Sequence, residues 1–240
     1  MNAQALVQTQ QQGPVLVVSI NNPPVNALGQ GVRAGLLAAV EQLEQDAALK
    51  AMLIVGQGKA FIAGADIREF GKPPMAPALP DVLNRMETGS KLVVAAIHGP
   101  ALGGGLEVAM ATHFRVALAG AKLGLPEVNL GLLPGAGGTQ RSPRLMGVKA
   151  ATELMLSGQH LSAKAALAAG LVDKLAEGDD PLAAGLAYVN ELLARGVPPR
   201  RTRDLAIADK AAALAELDAI ALESVKKTRG LYSPAKISEC

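Results

Sequence analysis

The sequence predicts an α/β fold with parallel strand pairing. Two observations carry that expectation. Short β-branched apolar runs alternate with segments of helical periodicity along most of the chain, and such alternation builds strand–helix–strand units. Half of the 240 residues are apolar while aromatics make up only 2%. One sizeable core is therefore expected, filled by aliphatic packing and close backbone approach.

Residues 14–20 (PVLVVSI) read as a strand, ended by the turn Asn21-Asn22-Pro23-Pro24. A helix follows over 31–46, with Val32, Leu36, Leu37, Val40 and Leu43 on one face. Residues 51–55 read as a buried strand closed by Gly56-Gln57-Gly58, and 61–65 lead into Asp66 as an N-cap. The stretch 71–80 holds four prolines and reads as a loop; 82–92 reads as a helix and 93–97 as a buried strand. His98-Gly99-Pro100 and the cluster Gly103-Gly104-Gly105 then precede a helix running to about Thr112. A strand over 115–119, a glycine-rich turn over 130–138 and short alanine-rich helices to about Ala169 come next, closed by Gly170-Leu171-Val172-Asp173. Pro198-Pro199-Arg200-Arg201 reads as a linker. Residues 204–227 read as an amphipathic helix with Leu214, Leu217, Ile220 and Val225 at helical spacing. The expected division is a core over 1–195 and a helical C-terminal segment over 196–240. No internal repeat of fixed period is visible.

Composition narrows the function. A net charge of +2 and the scarcity of aromatics argue against nucleic acid as a partner. No apolar run reaches about 18 residues, so no membrane span is expected. The only cysteine is Cys240, which leaves no internal disulfide and fits a reducing compartment. Residues 1–13 lack the basic and apolar regions of a signal peptide, and Ser238-Glu239-Cys240 is neither a peroxisomal address nor a prenylation box. The expectation is a cytoplasmic protein. His98, His113 and His160 have no ligand-like spacing, so no metal is expected. No Rossmann, P-loop or nucleophile-elbow signature is present.

The chemistry-bearing stretch is Gly103-Gly104-Gly105-Leu106-Glu107, with Pro126-Glu127 further on. Taken alone, three glycines mark a tight turn or close helix packing. Placed between a strand and a helix, they also let main-chain N–H groups reach a substrate oxygen at the positive end of a helix. Glu107 alone reads as a first-turn glutamate and Glu127 alone as a surface residue. Both lie in apolar runs, however, and a desolvated carboxyl holds its proton nearer neutrality. Ala63-Gly64-Ala65-Asp66, a common turn by itself, can supply a second backbone N–H from another loop. Two glutamates beside such donors suit handling one water and one proton at a carbonyl compound.

Several ordered motifs resemble the crotonase (enoyl-CoA hydratase/isomerase) family over roughly residues 10–195. They are Asn22-Pro23-Pro24-Val25-Asn26-Ala27, Lys59-Ala60-Phe61 with Gly64-Ala65-Asp66-Ile67, Val94-Ala95-Ala96-Ile97 with Ala101-Leu102-Gly103-Gly104-Gly105-Leu106-Glu107, Leu125-Pro126-Glu127, and Gly131-Leu132-Leu133-Pro134-Gly135-Ala136-Gly137-Gly138-Thr139-Gln140. The pattern is most similar to the N-terminal part of multifunctional β-oxidation enzymes, whose later part is a 3-hydroxyacyl-CoA dehydrogenase.

The resemblance implies a spiral of ββα turns. It implies an oxyanion hole from the N–H groups of Ala65 and Gly104. Glu107 would help activate a water, and Glu127 would deliver a proton to the α-carbon. Coenzyme A, part of the substrate rather than a separate cofactor, would lie along Ala27, Lys59, Ala63 and Gly64. The implied activity is hydration of 2-enoyl-CoA. Alternatives are Δ3–Δ2 isomerisation at the same site, or an acyl-CoA-binding module of low activity. The implied partners are an acyl-CoA thioester and either further copies of the chain or a dehydrogenase part. After about Arg195 the sequence departs from the family's usual tail, and Leu231-Tyr232-Ser233-Pro234-Ala235-Lys236-Ile237 resembles a link toward the dehydrogenase part. An excised domain and a natural single-domain relative both fit that departure.

Overall fold

The computed structural model describes residues 5–207, 211–217, 219–220 and 232–240. A six-stranded sheet forms from β1 (Val7–Gln12), β2 (Val15–Ile20), β3 (Ala51–Gly56), β4 (Leu92–Ile97), β6 (Phe114–Leu118) and β9 (Lys174–Ala176), in that spatial order. All neighbours pair in parallel except β1, which runs antiparallel to β2 at the edge. The parallel pairing follows from the helical crossovers α1 (Gln30–Gln45), α2 (Leu79–Glu87) and α3 (Gly104–Ala111).

Both faces of the sheet are covered. Leu16, Val18, Met52, Ile54, Val93 and Ala95 pack into one core, while Val15, Val17, Leu53, Val55, Val94 and Ala96 pack into another under α7 (Pro181–Ala194). Alternate residues thus enter different cores. This is why these strands read as continuous apolar runs rather than polar–apolar alternation.

A second, three-stranded sheet joins β5 (Pro100–Leu102), β7 (Lys122–Gly124) and β8 (His160–Ser162). Isolated parallel bridges Leu28–Ala65 and Ile62–Ala101 extend its column through the earlier turns. Each turn of the chain therefore contributes a long strand, a short extended piece and a helix. The expected spiral of ββα turns is the observed architecture, although no sequence period announces it. Beyond it come α4 (Gly138–Met146), α5 (Val148–Ser157) and α6 (Ala163–Ala168).

Three element readings need correction. The glutamine-rich N-terminal stretch, given no element from sequence, forms edge strand β1. The helix read over 82–92 runs from Leu79 to Glu87, because Gly89 and Ser90 break it and Ser90 binds Glu44 instead. In the segment read as one helix over 204–227, Thr202–Asp204 is a 3₁₀ turn, residues 205–207 are not helical, and residues 211–217 and 219–220 are helical. Leu214, expected on its buried face, is 53% exposed, and Val225 lies outside the described residues. Tyr232–Glu239 is helical and seats Ile237 in the main core. Among the described residues no helix is long and apolar enough to cross a membrane.

Candidate active site

The three consecutive glycines each meet a different demand. Gly103 has φ +52° and ψ −127°, a conformation closed to side-chain-bearing residues. It turns the chain sharply from β5 into α3. A Cβ on Gly105 would stand 2.0 Å from the Ile62 carbonyl oxygen, so only glycine lets the helix lie that close to the neighbouring turn. Gly104 is the first residue of α3, where the N–H has no intrahelical acceptor. A Cβ there would lie 3.9 Å from the Ala65 nitrogen, so the start of α3 lies close against the Ala65 main chain. The Ala65 N–H donates to no acceptor among the described residues.

Those N–H groups open onto a cleft of about 350 Å³. Both glutamates line it, and apolar side chains dominate the rest, including Leu79, Leu102 and Leu133. Glu107 sits one turn into α3 and is 2% exposed. Its Oε1 accepts from the N–H groups of Ala136 (2.7 Å) and Gly138 (2.8 Å). Burial raises its pKa above the usual carboxylate range, while those two N–H groups and the charge of Arg141 oppose the rise. The other oxygen, Oε2, has no protein partner among the described residues.

Glu127 lies on a 3₁₀ helix, Pro126–Leu130. Its carboxyl faces Gly103: a Cβ at that glycine would be 3.1 Å from Glu127 Oε1. Its Oε2 is buried with no hydrogen-bond partner among the described residues. Burial, aided by the charge of Glu107 and opposed by its own main-chain N–H, raises its pKa to about 7. Such a carboxyl exchanges a proton near neutral pH. Paired N–H donors can in turn hold an oxygen on which negative charge develops.

The structure thus brings Ala63, Gly64, Ala65, Gly104, Glu107 and Glu127 to one cleft. Ala27 and Lys59 do not line it. The Ala27 carbonyl is engaged by Gly29 and Asn22, and Lys59 is exposed on the adjoining loop. Sequence reading gave Asn26 only as part of the Val25-Asn26-Ala27 turn along which the resemblance runs coenzyme A; in the structure it ties these segments together. At φ +56°, its Nδ2 donates to the carbonyls of Gln57, Ala60 and Phe61. The Asn-Ala step after two prolines was the available signal. It also missed Glu87 and Arg141, a buried ion pair behind the Ala136–Gly138 turn (2.7 Å). Among the described residues no cluster of metal-ligating side chains occurs.

The model of the family described as enoyl-CoA hydratase/isomerase matches residues 10–221. The "Peroxisomal bifunctional enzyme" of Danio rerio is 41% identical over 220 residues, covering 92% of this chain and 30% of that one. A "Probable enoyl-CoA hydratase" of Bacillus subtilis (strain 168) is 47% identical over 165 residues, covering 66% of this chain and 64% of the relative. Among solved structures, an enoyl-CoA hydratase from Mycobacterium tuberculosis H37Rv superposes with a TM-score of 0.75 at 30% identity, covering 98% of this chain and 86% of that one. This chain spans only about 30% of the length of the bifunctional relatives.

Proposed function

The chain belongs to the enoyl-CoA hydratase/isomerase family, and from that premise we propose that it adds water across the double bond of a 2-trans-enoyl-CoA to give the 3-hydroxyacyl-CoA. The observation that carries this reading is the convergence on one apolar cleft of two glutamates and of Ala65 and Gly104, whose main-chain N–H groups have no acceptor among the described residues.

The thioester carbonyl oxygen sits between the N–H groups of Ala65 and Gly104. Addition of water oxygen to C3 moves charge onto that oxygen as an enolate, where the paired donors and the start of α3 stabilise it. Glu107, its Oε1 pinned, takes a water proton on Oε2. Glu127, half-protonated near neutrality, gives its proton to C2. One proton then passes back from Glu107 to Glu127, directly or through solvent, and the site is reset. Coenzyme A enters as part of the substrate, and no separate cofactor is invoked. Its carrier portion would run past Ala63 and Gly64 toward the loops bearing Ala27 and Lys59.

The division at residue 195, assembly into a homo-oligomer and association with a dehydrogenase part stand as further proposals. So does a cytoplasmic location; several relatives are named peroxisomal or glyoxysomal, and imaging of the tagged full-length protein separates the two. The function is tested by following the loss of 2-enoyl thioester absorbance with crotonyl-CoA and a longer enoyl-CoA, on wild type and Glu107→Gln. Glutamate-dependent loss with a product heavier by one water is the expected result. Turnover of a 3-enoyl-CoA without hydration would replace hydration by isomerisation. Binding of CoA esters without turnover would leave only a binding module.

A further inference from the structure

Behind the cleft, a continuous chain of buried polar contacts leads from Glu107 to the segment beyond residue 195. The Ala136 and Gly138 N–H groups that hold Glu107 Oε1 belong to the turn that leads into α4, Gly138 being its first helical residue. Its conformation is fixed from behind: Arg141 Nη1 donates to the Ala136 carbonyl (2.8 Å). Arg141 is 5% exposed, and its Nε and Nη2 both donate to Glu87 Oε2 (3.1 and 2.7 Å). Glu87 is fully buried at the end of α2, and its other oxygen accepts from the Arg203 N–H (2.8 Å). The adjacent Thr202 donates its hydroxyl to the Met110 carbonyl (2.9 Å), on the same helix that carries Glu107. Neither Glu87 nor Arg141 lines the cleft that holds the glutamates.

A buried ion pair is poor evidence for stability, because desolvation of both charges offsets most of their attraction. Geometry is a better account of this one. The guanidinium is a rigid fork that addresses an acid and a carbonyl at once. We propose that Arg141 is a positioning residue for Glu107: locked by Glu87 and the Thr202–Asp204 turn, it fixes the peptide whose N–H groups pin Oε1 and leaves Oε2 directed at the cleft. The inference rests on the hydratase reading for its kinetic consequence. It also makes the 202–204 turn part of the catalytic unit, although it lies beyond the expected core boundary.

The test uses Arg141→Lys and Glu87→Gln in the full chain. Lysine keeps the charge but cannot bond Ala136 and Glu87 as a fork. Glutamine keeps an acceptor for Arg203 but weakens the hold on Arg141. For Arg141→Lys, kcat on crotonyl-CoA is expected to fall about 10- to 100-fold, with KM within about twofold, as a small misplacement of a reacting group does. Glu87→Gln is expected to lose about tenfold by the same route, and it carries the test if the lysine variant does not fold. A second readout needs no turnover. In protein labelled with ¹³C at glutamate carboxyls, the Glu107 resonance should titrate at higher pH in both variants, since loosened N–H contacts favour the neutral acid. Unchanged kcat with an unmoved Glu107 midpoint overturns the proposal. Loss of kcat and melting temperature together with an unmoved midpoint also overturns it, because Arg141 is then merely structural. A moved midpoint in a protein that never hydrates enoyl-CoA upholds the positioning and overturns the hydratase reading instead.

Discussion

The two walls of the cleft treat their carboxylates in opposite ways. On the α4 side, Glu107 is 2% exposed yet has two N–H groups on one oxygen and an arginine behind them. On the 3₁₀ side, Glu127 Oε2 is buried with no hydrogen-bond partner among the described residues. Burial alone pushes both carboxyls toward the neutral form. What separates them is whether the charged form is met by donors. One side chain is fixed in direction, and the other is left free to hold or release a proton. That asymmetry is what a reaction needing both a directed base and a mobile proton requires.

The largest expected effect comes from erasing the mobile proton. Glu127→Gln should lower hydration of crotonyl-CoA by about 10²–10⁴-fold, the usual contribution of a general acid. Steady-state kinetics would check it, and turnover within a few-fold of wild type would remove Glu127 from the chemistry.

A smaller effect should come from disturbing the directed base without touching its carboxyl. A Cβ at Gly138 would lie 3.0 Å from Glu107 Oε1 and 2.7 Å from the Pro134 Cβ. Gly138→Ala should therefore cost kcat about 10- to 100-fold through misalignment. A crystal structure of that variant should show the Ala136–Gly138 turn displaced from Glu107.

The third prediction concerns pH. If Glu127 supplies the proton, its neutral form is the active one. With a pKa near 7, kcat/KM for hydration should fall about tenfold per unit once the pH passes that value. A flat profile from pH 6 to 9 would contradict the assignment.

The smallest effect is on stability. The Glu127 carboxyl rises from 4.5 in the unfolded reference to about 7 in the fold. The folded protein therefore binds that proton more tightly, so this group lowers stability as pH climbs through that window, with the full penalty present above it. Glu127→Gln removes the penalty. Its stability gain over wild type should be larger at pH 8 than at pH 5 by about 2 kcal/mol, read from denaturant midpoints.

Much of this was legible in the chain. The strands over 15–20, 51–56 and 92–97 were visible because burial on both faces makes them unbroken apolar runs. Glu107 and Glu127 stood out because a carboxyl amid apolar neighbours demands a reason. What escaped had physical causes too. Strands β5 and β7 are three residues each, too short for any period. Apart from Val7, strand β1 is polar, and it is held by pairing with β2, which its composition does not reveal. Arg141 lies just outside the quoted motifs, and nothing in the sequence marks it. Its partner Glu87 is 54 residues away, and only the folded chain brings them together.

The most direct measurement is a ¹³C titration of the glutamate carboxyls in the wild-type protein, with Glu127→Gln used to assign the resonance. The account predicts a Glu127 midpoint close to 7, removed by that substitution. A Glu127 midpoint near 4.5, the ordinary value, would mean that the unpartnered wall holds no proton at neutral pH. The division of labour between the two glutamates would then be wrong.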